Sequence, residues 1–174
     1  MHTIFLDRDG IINDVVVRDS GVSSPRTLDE FILRQDFHAC YKGLLSGRFR
    51  LFVVSNQPDV SRNLLSVSTL EQMSEVIRQA FAIEEIRYCT HDDAHQCHCR
   101  KPKPGMLLDL MHKHRIAPAA ATIIGDSWKD IEAGKGAGVR TILLSTHYNA
   151  KCPVPPDLTV DSLAALKEED IRPG

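Results

Sequence analysis

Four positions between residues 89 and 99 could bind a metal through soft donors. Cys89, His91, Cys97 and Cys99 form C-x-H-x5-C-x-C within CTHDDAHQCHCRKPKPG, and three thiolates with one imidazole complete the tetrahedron of a structural Zn2+ site. Such a site keeps no open position, so it would hold the chain rather than perform chemistry. His95 and His98 lie close enough in sequence to take the place of His91. Three thiolates and a neutral imidazole around Zn2+ leave about one net negative charge, which Arg100 and Lys101, following at once, could offset. A second set of donors is hard: Asp7 with Asp9, and Asp126 with Asp130, accompanied by Ser55 and Asn56. Carboxylates gathered at one point repel unless a cation lies between them, and oxygen ligands suit Mg2+.

For the hard donors to meet, residues far apart in sequence must reach a common rim. Apolar runs ending in small or acidic residues recur along the chain: TIFLD at 3–7, RLFVVSN at 50–56, EEIRYC at 84–89, ATIIGD at 121–126 and VRTILLS at 139–145. Each reads as a strand. Helical patterns fill the intervals. One covers 38–47 and closes at Gly47. The next is opened by Ser68 and Glu71 at capping-box spacing, with Leu70, Met73, Ile77 and Phe81 on one face. A third follows Pro104 with Met106, Leu107, Leu110 and Met111 on one side, and WKDIEAGKGAG at 128–138 makes a fourth. The alternation predicts parallel crossovers and a three-layer α/β fold. Ligands of such sheets bind beyond the carboxyl ends of the strands, which is where Asp7, Asp9, Ser55, Asn56, Asp126 and Asp130 fall. The tail is less regular: KCPVPPD at 151–157 is a proline-rich connector and SLAALKEED one last helix.

At 174 residues the chain is expected to form one domain, residues 1–174. Its 21 Lys and Arg against 23 Asp and Glu give no basic excess for a polyanion, which argues against a zinc-bearing nucleic-acid-binding module. No apolar run is long enough to cross a membrane, and MHTIFLDRDG turns acidic too early for a signal peptide. A soluble, cytoplasmic protein is the expectation. In a reducing compartment clustered cysteines hold metal rather than form disulfides. Cys40 and Cys152, outside the cluster, are expected to be buried free thiols.

FLDRDG at 5–10, VVSNQ at 53–57, RKPKPG at 100–105 and IGDSWKDIEAG at 124–134 resemble, in order, the four motifs of the haloacid dehalogenase (HAD) superfamily of phosphohydrolases. The resemblance implies a Rossmann-like HAD fold and a phosphatase working through an aspartyl-phosphate. Asp7 would be the nucleophile and Asp9 the general acid and base. Mg2+ would be held by Asp7, Asp126 and the backbone carbonyl of Asp9, with Asp130 acting through metal-bound water or as a cap. Ser55 and Asn56 would donate to the transferring phosphoryl group, and Lys101 would pair with its charge and with Asp7.

A zinc loop just before the third motif further resembles the D-glycero-D-manno-heptose-1,7-bisphosphate 7-phosphatase and histidinol-phosphatase family, whose members carry little or no cap domain. By that resemblance substrate selection falls to Val15–Arg18, to Pro58–Arg62, to Arg100 and to Ser127. A bisphosphate needs a second anion site, for which Arg18, Arg26, Arg62 and Arg100 are candidates by position. RKPKPGM favours a heptose bisphosphate losing its C7 phosphate, with histidinol phosphate or another sugar phosphate as the alternative. A monomer acting on a small phosphorylated metabolite is expected. Thr90, His98, Asp59 and Ser61 depart from the usual loop residues without removing a ligand.

Overall fold

The computed structural model describes residues 1–19, 21–148 and 152–172. Its centre is a six-stranded parallel sheet built from β1 (Thr3–Leu6), β4 (Arg50–Asn56), β5 (Glu85–Cys89), β6 (Ala121–Gly125), β7 (Arg140–Leu144) and β8 (Leu158–Val160). The order across the sheet is β5-β4-β1-β6-β7-β8. From β1 the chain builds outward through β4 and β5, then returns to place β6 on the other side of β1. That reversal opens a crevice above the carboxyl ends of β1, β4 and β6. β1 and β6 are buried at every position, which explains their uninterrupted apolar sequences.

Alternating side chains of β1 divide the core in two. Ile4 and Leu6 face a layer containing α1 (Gln35–Cys40), α2 (Val67–Ala80) and the C-terminal segment, packed through Phe37, Leu70, Met73, Ile77, Leu163 and Ile171. Phe5 faces the opposite layer of α3 (Gly105–His114) and α4 (Trp128–Ala137), packed through Met106, Leu107, Leu110 and Ala133. The expected three-layer architecture is present. Among the described residues no helix is long and apolar enough to cross a membrane.

Several elements differ from the sequence reading. The helix expected over 38–47 starts earlier, at Gln35, and ends in a wide π turn over Tyr41–Leu45, with Gly47 left-handed at φ +72°. The α2 cap is Ser66, whose Oγ accepts from Thr69 N at 2.9 Å, and Ser68 already lies in the helix. An antiparallel hairpin, β2 (Val16–Arg18) with β3 (Gly21–Ser23), and the edge strand β8 had no sequence counterpart. The last helix is two pieces, a 3-10 turn at Leu163–Ala165 and α5 (Glu168–Ile171). Of the proline-rich connector, Lys151 lies outside the described residues, and Cys152 is half-buried rather than buried. Among the described residues, the intervals from β1 to β4 and from β4 to β5 hold only the hairpin, α1 and its π turn, α2 and loops.

Candidate active site

β1 ends at Leu6, so Asp7 leaves the sheet at its carboxyl edge, held by its backbone bond from Asp7 N to Ile124 O at 3.0 Å. Lys101, 3% exposed, reaches Asp7 Oδ1 at 2.9 Å, Asp130 Oδ1 at 2.5 Å and the Val54 carbonyl at 2.7 Å. Burial works against its charge, but Asp130 and Asp7 outweigh it and raise the ammonium's pKa. Asp7 Oδ1 also accepts from Arg8 N at 2.7 Å, and no described residue donates to Oδ2. Burial and the charge of Asp130 push the Asp7 carboxyl up to about 7, against the pull of Lys101. Burial with Asp7 and Asp130 pushes Asp126 up to about 8.

Asp7, Asp126 and Asp130 can each present an oxygen within 4.8 Å of the others, an excess of negative charge over the single Lys101 that fits a divalent cation. Asp130 has less to offer than the other two. Lys101 occupies its Oδ1, and its Oδ2 accepts from Ser127 N at 3.1 Å in the capping box of α4. That geometry agrees with the cap and water-mediated reading. Asp126 Oδ2 takes a hydrogen bond from Tyr148 Oη at 2.8 Å. Gly10, at φ +84°, passes so near that a Cβ there would lie 2.0 Å from Asp126 Oδ2.

Asp9 sits in a cradle of donors. Its Oδ1 accepts from Arg8 Nε at 2.9 Å, Arg8 Nη2 at 2.8 Å and Asn13 Nδ2 at 2.9 Å; its Oδ2 accepts from Ser24 Oγ and Gln57 Nε2, both at 2.7 Å. Burial would raise its pKa, but Arg8 and these hydrogen bonds hold it below the usual carboxylate range. Arg8 itself is fully buried, flanked by the rings of Phe31 and Tyr88 at 5.4 and 5.6 Å. Ser55 Oγ accepts from Gln57 Nε2 at 3.0 Å, which leaves the hydroxyl proton free to donate. Asn56 does not offer its side chain to a phosphoryl group as expected. Its Nδ2 donates to the Lys101 carbonyl at 2.8 Å and its Oδ1 accepts from Lys101 N at 3.0 Å, so the amide clamps the Lys101 backbone.

The cysteine stretch closes on itself. Cys89, His91, Cys97 and Cys99 lie within 4.8 Å of one another, with Sγ to Sγ separations of 3.6, 3.3 and 3.4 Å and His91 Nδ1 3.6 and 3.4 Å from Cys89 and Cys99. Two sulfurs on a tetrahedral ion would lie about 3.7 Å apart, so the set fits a closed four-ligand metal site. His95 and His98 are spent elsewhere: His95 Nδ1 accepts from Asp92 N at 3.1 Å, and His98 faces Asp109 at 3.3 Å. Arg100 and Lys103 brace the knot through the His91, Gln96 and Cys97 carbonyls.

A cavity of about 660 Å³ opens above the strand ends, lined on its rim by the hairpin, Pro58, Asp59, Arg62, Arg100, Ser127, Lys129 and Tyr148. Arg62 is paired with Asp92 and with Asp59 at 3.6 Å, and Arg100 with Asp93 at 2.6 Å. Arg18 does not line this cavity. It is engaged by Glu30 at 2.7 Å and by Ser23, bracing the hairpin, which corrects its expected contact with substrate. Arg26 is likewise paired with Asp59 at 2.7 Å.

Comparison with known proteins places this arrangement. The HAD-hydrolase-like family model matches residues 98–166. A D-glycero-beta-D-manno-heptose-1,7-bisphosphate 7-phosphatase of Pseudomonas putida is 32% identical across 97% of this chain and 99% of its own length. The chain belongs to that HAD-type phosphatase family. A member from Helicobacter pylori is 31% identical over 86% of both chains. The crystal structure of D,D-heptose 1,7-bisphosphate phosphatase from B. bronchiseptica, complexed with magnesium and phosphate, superposes with a TM-score of 0.83 at 28% identity, covering 95% of each chain. In this member of the heptose-bisphosphatase family, the sequence reading missed Arg8, Asn13, Ser24 and Gln57 around Asp9, Tyr148 on Asp126, and Lys129 on the rim. Arg8 and Gln57 carried a signal, since each sits inside a motif and beside a strand end.

Proposed function

We propose that the protein is a Mg2+-dependent phosphomonoesterase that removes the C7 phosphate of D-glycero-D-manno-heptose 1,7-bisphosphate and leaves heptose 1-phosphate. The observation carrying this reading is Asp7, its Oδ2 free of protein donors, fixed by buried Lys101 beside Asp126 at the switch point of the sheet. Asp7 attacks phosphorus, the P–O bond to the sugar breaks, and Asp9 gives its proton to the leaving alkoxide. Water, deprotonated by Asp9, then attacks the aspartyl-phosphate to release inorganic phosphate and restore Asp7. The five donor contacts on Asp9 suit the carboxylate that the second step requires. For the first step Asp9 must carry a proton, and donation from Ser24 or Gln57 must relax. Ser55 Oγ and Lys101 Nζ stabilise the transferring group. Mg2+, held by Asp7, Asp126 and the Asp9 carbonyl, would neutralise phosphoryl oxygens so that one anion can approach another.

A Zn2+ held by Cys89, His91, Cys97 and Cys99 would close residues 89–99 into a rigid knot and fix the direction in which Arg100 and Lys101 leave it. The enzyme works as a single capless domain, a monomer, in the cytoplasm, where the thiols stay reduced. The cationic rim of Arg62, Arg100 and Lys129 suits a second phosphate better than the ammonium of histidinol phosphate. The test is phosphate release with Mg2+ from heptose 1,7-bisphosphate, histidinol phosphate and a sugar-phosphate panel, using Asp7→Asn as control. The heptose ester should lead in kcat/KM and the control should be inactive. A lead for histidinol phosphate would overturn the substrate, and an active control the mechanism.

A further inference from the structure

Four cations line the cavity: Arg62, Arg100, Lys101 and Lys129. Three of them are neutralised from within the protein. Lys101 serves Asp7 and Asp130, Arg62 serves Asp92 and Asp59, and Arg100 serves Asp93. Lys129 is different. Among the described residues no carboxylate lies within ion-pair distance of its ammonium, whose nearest marked contact is the Trp128 ring at 5.9 Å. It is half-buried, in the first turn of α4, directly after the Asp126–Ser127 strand end.

The carboxylate that does feel Lys129 is Asp93. It is held below its ordinary pKa first by Arg100 and further by the charge of Lys129. Asp93 stands on the single 3-10 turn Asp93–His95 of the cysteine loop, and its side chain is 79% exposed, whereas that of Arg100 is only 11% exposed. Arg100 is additionally placed by the His91 carbonyl at 3.4 Å. A fixed guanidinium and an unpaired ammonium therefore share one mobile, solvent-facing carboxylate at the edge of the cavity. A phosphate offers more charge and more acceptor oxygens than that carboxylate, and Asp93 can swing into water at little cost.

Resting on the bisphosphate reading, we propose that Lys129 and Arg100 grip the phosphate that is not transferred, that Asp93 holds its place in the empty enzyme, and that Lys129 sets the preference for bisphosphates over monophosphates. Arg18 and Arg26, engaged by Glu30 and Asp59, take no part.

Steady-state kinetics with heptose 1,7-bisphosphate and heptose 7-phosphate test this in wild type, Lys129→Ala, Lys129→Arg and Asp93→Asn. Lys129→Ala should lower the kcat/KM ratio of bisphosphate to monophosphate about tenfold, chiefly through KM, as expected for one charge-assisted contact. Lys129→Arg should restore most of it, and Asp93→Asn should lower KM for the bisphosphate. Equal losses on both esters in Lys129→Ala, or a raised bisphosphate KM in Asp93→Asn, would overturn the proposal while leaving the activity standing. A wild type that hydrolyses neither heptose ester would sink the substrate reading and this inference with it.

Discussion

Lys101 spends its three donors on Asp7, Asp130 and the Val54 carbonyl, with its own backbone clamped at both ends of the peptide group by Asn56. Lys101→Ala leaves two carboxylates facing each other in a buried site. It should lower kcat at least about a hundredfold and cost about 3 kcal/mol of stability, measured by steady-state kinetics and denaturant unfolding. Asp7 and Asp126, pushed up to about 7 and about 8, set a pH dependence. A carboxyl with a raised folded pKa stabilises the metal-free fold when protonated, and that contribution is lost as pH rises through the folded value. Mg2+ removes the repulsion that then remains, but it competes with protons for the same oxygens. The rise in Tm on adding Mg2+ should therefore be largest above pH 8 and shrink as pH falls through 7, a trend thermal unfolding will show. Tyr148 orients Asp126, and Tyr148→Phe should weaken Mg2+ binding several-fold by calorimetry without changing zinc content. Asp7, Asp9 and Asp126 were legible in sequence because strand ends announce themselves. The turning of Asn56 onto Lys101 was not, because 45 residues separate the partners.

At the scale of elements, the cysteine knot and the hairpin do different work. The knot delivers Arg100 and Lys101. Cys99→Ser should release the metal, lower Tm and raise KM together, whereas Lys101→Ala should keep full zinc content by elemental analysis. The hairpin lines the cavity and reaches Asp9 through Ser24, the residue just after β3. The knot was readable because ligand types and spacing are local. The hairpin was not, since two three-residue strands, VVR and GVS, are too short for an alternation to show. The cap of α2 was misplaced by two residues because Ser66 and Ser68 both offer a hydroxyl, and only the extended backbone at Ser66, ψ 150°, makes it the cap.

Across the whole molecule, the sheet order matters more than any single motif. With β1 between β4 and β6, residues 7, 55 and 126 meet without a separate domain above them, and specificity falls to the rim. The strand and helix alternation behind that order was legible from periodicity. β8 was not, because a three-residue edge strand after a proline-rich connector carries little pattern. The central claim is that this site cleaves one particular ester of a bisphosphate through Asp7. Phosphorus NMR of heptose 1,7-bisphosphate turning over tests it most directly. The account predicts inorganic phosphate and a product that keeps its anomeric C1 phosphate, with no change in spectrum for Asp7→Asn. Loss of the C1 phosphate instead, or undiminished turnover by Asp7→Asn, would contradict it.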